Sequence, residues 1–151
     1  MRVVKGTALY TSSFTPSTKP LVAIANTSLL TCQSNMFIDN SPVNSTLTVV
    51  GNASIKSYSP FSAYTIPKYY SSYFNNSSSD YLTVASNAVF ALPGDFTIEC
   101  WIYRTVNVDV IGIFGIGSTD PDSNLVRINA GVLQFWLGGS NSGASGTGTK
   151  T

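Results

Sequence analysis

Residues 95–104, DFTIECWIYR, alternate so that Phe96, Ile98, Cys100 and Ile102 fall on one side of an extended chain, with Thr97, Glu99, Trp101 and Tyr103 on the other. The first row is a core row. The second sets two large aromatic rings beside polar groups, which the solvated face of a one-sided sheet does not need. Some other layer must therefore cover it: a neighbouring sheet or loop, a sugar, or another chain. A strand covered on both faces restricts the chain to a layered β architecture. The remaining residues agree, because Ser, Thr, Asn and Gly suit turns and exposed strands while helix-favouring Ala, Glu, Leu and Lys are thin. With 43% hydrophobic residues in 151, the chain has material for one core and would bury roughly 70% of its extended surface on folding.

Along the chain, strand-like runs are punctuated by turn chemistry. Arg2–Val4 is followed by a Gly turn and a second short run, after which Pro16 and Pro20 bracket a polar linker. Strands are expected at Ser28–Cys32, Asn35–Asp39 and Thr46–Val50, separated by Asp39-Asn40-Ser41-Pro42 and Gly51-Asn52. Further strands are expected at Ser72–Phe74, Tyr81–Val84 and Asp95–Arg104. VDVIGIFGIGS has a period of two, with glycines at bulge positions, and NLVRINAGVLQFWLGG reads as two strands hinged at Ala130-Gly131 before a Gly/Ser/Thr-rich tail. Short strands at this spacing indicate a sandwich or barrel.

Composition also removes several functions. A formal charge of +1 and 10% charged residues leave no basic stripe for nucleic acid. No apolar run reaches the ~20 residues of a membrane span, and the opening MRVVKG is too short and interrupted for a signal-peptide core. The sequence has no His, the usual general base and the commonest transition-metal ligand. Glu99 is the only Glu; a glycosidase pair would need a carboxylate from a distant loop, such as Asp109 or Asp120. Cys32 and Cys100 lack zinc or redox spacing and read first as two buried free thiols, with a single bridge as the alternative. The Asn-x-Ser/Thr triplets at Asn26, Asn44, Asn52, Asn75 and Asn76 follow from composition and do not establish secretion. GIFGIGS lacks the following helix and Lys-Ser/Thr pair of a phosphate loop.

Two constellations remain. Trp101, Tyr103, Gln134 and Trp136 place aromatic rings among hydrogen-bonding groups on two strands, the composition of a shallow sugar-binding platform. The competing reading packs these rings under loops or a further sheet. Asp120, Asp122 and Asn124 form an oxygen-rich loop able to supply ligands to Ca²⁺, or simply an Asx-rich hairpin turn that needs no cofactor.

The stretch YFNNSSSDYLTVASNAVFALPGDFTIECWIY, with its DYL and GDFTIE segments followed by a Trp, resembles the laminin-G-like, concanavalin A-like lectin/glucanase superfamily. LLTCQSNMFIDNSP and RVVKGTALYTSSFTP are similar to segments of phage structural proteins carrying such domains. The resemblance implies an all-β, antiparallel jelly-roll sandwich. In it, residues 1–20 are a closing strand and linker, 21–139 a partial sandwich domain, and 140–151 a tail. The family's later Trp-containing segment and returning strand have no counterpart after Gly139, so completion by another segment or chain is expected. The acidic cluster of the glucanase branch is also missing, so the resemblance carries the fold without the hydrolase.

The expectation is a non-enzymatic virion structural protein, a tail, fibre or capsid-surface component acting in assembly and display. Its expected partners are copies of itself or other virion subunits, with no nucleic acid and no membrane insertion. A carbohydrate-binding module for host-surface glycans is the alternative, and a glycan-cleaving enzyme the third reading.

Overall fold

The computed structural model describes residues 1–59, 61, 70–74, 79–105, 110–116 and 126–135, together with the backbone of 144–146. The chain divides into two compact units, Met1–Ile102 and Tyr103–Thr151. Among the described residues the regular structure is antiparallel β, with a single 3-10 turn at Ala88–Phe90.

In the first unit, β1 (Arg2–Lys5) is the middle strand of a three-stranded sheet, between β2 (Thr27–Leu30) and β7 (Phe96–Glu99). Two small pairs accompany it: β3 (Leu47–Val50) with β6 (Tyr81–Val84), and β4 (Ser54–Lys56) with β5 (Ser71–Tyr73). Val3 and Val4 are both fully buried. Consecutive strand residues point to opposite faces, so β1 is covered on both sides. Leu29 and Leu30 extend this core through β2.

The register places Arg2 opposite Glu99 and Val4 opposite Thr97 on one face, and Val3 opposite Ile98 on the other. The Arg2 face is roofed by the chain's own residues 7–10. The Leu9 amide donates to Thr97 Oγ1 at 3.0 Å, the Thr97 hydroxyl donates to the Thr7 carbonyl at 3.0 Å, and the Tyr10 hydroxyl donates to Glu99 Oε2 at 2.6 Å. Residues 7–10 thus cover Thr97 and Glu99, whereas the cover expected over Trp101 and Tyr103 is not formed among the described residues: the two rings lie beyond the end of β7, 51% and 78% exposed.

β2 would present an open edge, but the following loop closes it. Asp39, 3% exposed, accepts the Leu30 amide on Oδ1 while the Asn40 amide donates to the Leu30 carbonyl at 2.7 Å. The same Oδ1 accepts the Ser41 amide, making an Asx turn, and Oδ2 accepts the Ser45 amide, each at 2.9 Å.

Several expected elements differ. Asn35–Asp39 is irregular, with bends through Phe37, rather than a strand: Cys32 turns the chain with φ 62°, and Ser34 Oγ bonds both the carbonyl and the amide of Met36. The run after Gly6 is the irregular roof just described. β7 stops at Glu99, where its ladder with β1 ends, so the alternation anticipated through Arg104 does not continue beyond Cys100. β4 lies in a stretch where no strand was expected, its neighbours being a Gly-Asn turn and Ser57.

The second unit is a meander of β8 (Val110–Phe114), β9 (Val126–Asn129), β10 (Val132–Phe135) and β11 (Ala144–Gly146), in the order β11-β10-β9-β8. The β9–β10 turn is Ala130-Gly131 with φ 46° and 82°, the two positive values of a type I′ hairpin. A bulge between Gly112 and Phe114 keeps Ile111, Phe114, Val126, Ile128, Leu133 and Phe135 on one face. Among the described residues the sheets are small and unclosed.

Candidate functional site

Glu99 is the carboxylate from which a catalytic reading has to begin, and its surroundings define its role. Arg2, only 7% exposed, donates from Nε to Glu99 Oε1 at 2.6 Å, and its Nη2 forms an ion pair with the same oxygen. Nη1 donates to the Val22 carbonyl at 2.7 Å. The other oxygen, Oε2, accepts the Tyr10 hydroxyl, and this bond, with burial second, raises the Tyr10 phenol above its ordinary 10.0. Both carboxylate oxygens are thus engaged by groups that tie β1, β7 and residues 10 and 22 together. Such a site fixes structure, because a half-buried ion pair needs its remaining lone pairs and protons satisfied.

No local pattern shows that Arg2 and Tyr10 meet Glu99, which lies 97 and 89 residues away. A lone Glu in an apolar strand does require a cationic partner, and that was the available signal.

The platform residues are divided between the two units. Trp101, 51% exposed, follows the end of β7 and meets Phe61 edge to face, with ring centroids 5.6 Å apart and planes at 87°. Gln134 lies on β10 opposite Arg127, whose Nε donates to its Oε1 at 2.9 Å. Tyr103 is 78% exposed. Trp101 belongs to the first unit, and Tyr103 and Gln134 to the second. Trp136 and the loop residues Asp120, Asp122 and Asn124 lie outside the described residues, as does Asp109.

Tyr10, bonded to Glu99, belongs to a pair of exposed rings. Tyr10 and Phe14 stack with centroids 3.9 Å apart and an interplanar angle of 16°. A shallow cleft of about 210 Å³ opens between Val43, Ser45, Thr46 and residues 84–87. Hydroxyls line it without a charged group, and Asn87 Oδ1 already accepts the Val89 amide. Cys32 and Cys100 are half-buried free thiols, and burial is the main cause raising Cys100 above its ordinary value. Among the described residues no helix is long and apolar enough to cross a membrane.

Comparison with protein-family models, curated proteins and solved structures gives no match. The functional reading therefore rests on the residues and their geometry.

Proposed function

We propose that this chain is a non-enzymatic structural module of a virion, a tail, fibre or surface component that works in assembly and display. The observation that supports this best is the environment of Glu99, whose two oxygens hold Arg2 and Tyr10 in place. An absence of His and a single Glu leave little else for acid–base work. In this reading the small antiparallel sheets belong to a concanavalin A-like jelly roll completed by another segment or chain, as the resemblance implies. The test has two parts. Peptides of this chain should be recovered in stoichiometric amount from purified particles of its source, and the isolated chain should sediment as an oligomer. Absence from particles, or a monomer at every concentration up to ~100 µM, a range in which specific interfaces associate, argues against the proposal.

A second reading, binding of host-surface glycans, is favoured by the half-exposed indole of Trp101 braced by Phe61. In that reading Trp101, Tyr103, Gln134 and Trp136 are the candidate contacts, with Asp120, Asp122 and Asn124 as candidate Ca²⁺ ligands. Trp101→Ala should abolish retention on immobilised glycans while leaving the thermal transition intact; unchanged retention removes Trp101 from the site.

A further inference from the structure

The slot between β2 and β7 is filled by a strand from a distant part of the sequence. β1 pairs with both neighbours, and β2 and β7 share no ladder of their own. Val3 and Val4, with Leu30, are the largest fully buried side chains among the described residues. An empty slot would expose these apolar contacts, the unpaired edges of β2 and β7, and Glu99 without its arginine. Every folded copy must therefore hold an Arg2–Lys5 strand there, its own or one from another copy.

The connection allows either. Residues 2–10 are fastened to β7 and its surroundings through Thr97, Glu99, Ala88 and the Asp95 carbonyl. From Thr27 onward the chain is fastened as β2. Thr11–Lys19 between them is exposed throughout and carries Pro16. Within it Ser17 Oγ bonds the carbonyl and the amide of Lys19, a local contact. Fully extended, the stretch from Tyr10 to Val22 reaches roughly 40 Å, enough to cross a small domain. Exchange between copies would re-form the same ladder, the same Arg2–Glu99 pair and the same Tyr10 bond, and would change only the exposed hinge.

We propose that the Arg2–Lys5 strand is exchanged between copies of this chain, each copy's β1 occupying the β2–β7 slot of another. Reciprocal exchange makes a closed dimer, and onward exchange makes an open string of subunits. The inference rests on the assembly reading above and gives that assembly its interface.

The register supplies the trap. The Gly6 amide donates to the Asp95 carbonyl at 2.7 Å, which makes Lys5↔Phe96 the next, non-hydrogen-bonded pair. Its Cα atoms should lie about 4.5 Å apart, within disulfide range. In full-length chain with Cys32 and Cys100 replaced by Ser, Lys5→Cys and Phe96→Cys are made as two single variants and as one double variant. The singles are refolded together and oxidised with glutathione disulfide, which takes the two electrons and is released as two thiols as the protein disulfide forms. The expected product is a disulfide-linked pair of different chains, with the 5–96 linkage in its peptide map and a yield rising with refolding concentration. The proposal is overturned if the mixture gives no such linkage while the double variant closes 5–96 within single chains. It is equally overturned if the double variant forms no 5–96 bond, since the slot geometry then fails. Sedimentation of the unsubstituted chain separates the two ideas: an oligomer without the interchain linkage removes strand exchange and leaves assembly standing, whereas a monomer removes both.

Discussion

Replacing Asp39 tests how the edge of the first sheet is closed. Its carboxylate accepts three backbone amides, from Leu30, Ser41 and Ser45, while the residue is 3% exposed. Hydrogen bonds to a charged acceptor contribute ~1.5–3 kcal/mol each, and deleting the acceptor leaves buried donors unmet. Asp39→Ala removes all three together; allowing for non-additivity, the expected loss is about 4–5 kcal/mol, close to the whole stability of a marginal domain. Asp39→Asn is more informative. One carbonyl oxygen can still serve Leu30 and Ser41, but the amide nitrogen faces the Ser45 N–H, and the charge is gone. The expected loss is about 2–3 kcal/mol, which at an m-value of ~1.5 kcal/mol/M lowers the urea midpoint by ~1.5–2 M.

The same residue predicts a pH dependence. Burial pushes the Asp39 carboxyl up, but the amides of Leu30, Ser45 and Ser41 outweigh it, and the group lies below its ordinary 3.8. A depressed folded-state value means that the carboxylate's stabilisation is fully present above the unfolded value and is lost as pH falls through the folded one. The gap between parent and Asp39→Asn should therefore be constant from about pH 7 to pH 5 and shrink under stronger acid. A variant within ~0.5 kcal/mol of the parent at neutral pH, the range of a neutral surface change, would refute this account of the edge. So would a gap that persists unchanged in strong acid.

Glu99→Ala leaves the buried Arg2 guanidinium unpaired and should cost about 3–4 kcal/mol, whereas Arg2→Met with Glu99→Leu should cost clearly less in the same urea titration. Gly51 has φ 74°, and a Cβ there would run into the Ser79 carbonyl and Asp80 Oδ1. Gly51→Ala should destabilise the first unit by about 2–5 kcal/mol, seen as a lowered urea midpoint. Ala130 adopts φ 46° in the type I′ turn, so Ala130→Asn should stabilise the β9–β10 hairpin by about 0.5–1 kcal/mol, read as slower amide exchange in β9 and β10.

Much of the local structure was legible because it depends on near neighbours. Tyr81–Val84 forms the expected strand, Ala130-Gly131 hinges two strands, and Asp39 closes an Asx turn onto Ser41. Each follows from period-two alternation or from the chemistry of one side chain and the adjacent backbone. The candidate site was less legible because DFTIECWIYR specifies only that a second cover exists. Its alternation runs on to Tyr103 in sequence, but a strand persists only while a partner pairs with it, and the partner ends opposite Glu99.

By itself, then, the sequence determined an antiparallel β chain, poor in charge and in acid–base groups, with one strand that needed covering on both faces. Only the tertiary structure decided that residues 7–10 cover Thr97 and Glu99 while Trp101 and Tyr103 stay exposed, that Arg2 and Tyr10 hold Glu99, and that β1 lies between strands from two distant parts of the chain. The reason is physical. Alternation and turn propensity are set within a few residues, whereas strand order and the pairing of a buried charge depend on contacts nearly a hundred residues apart, which no local pattern encodes.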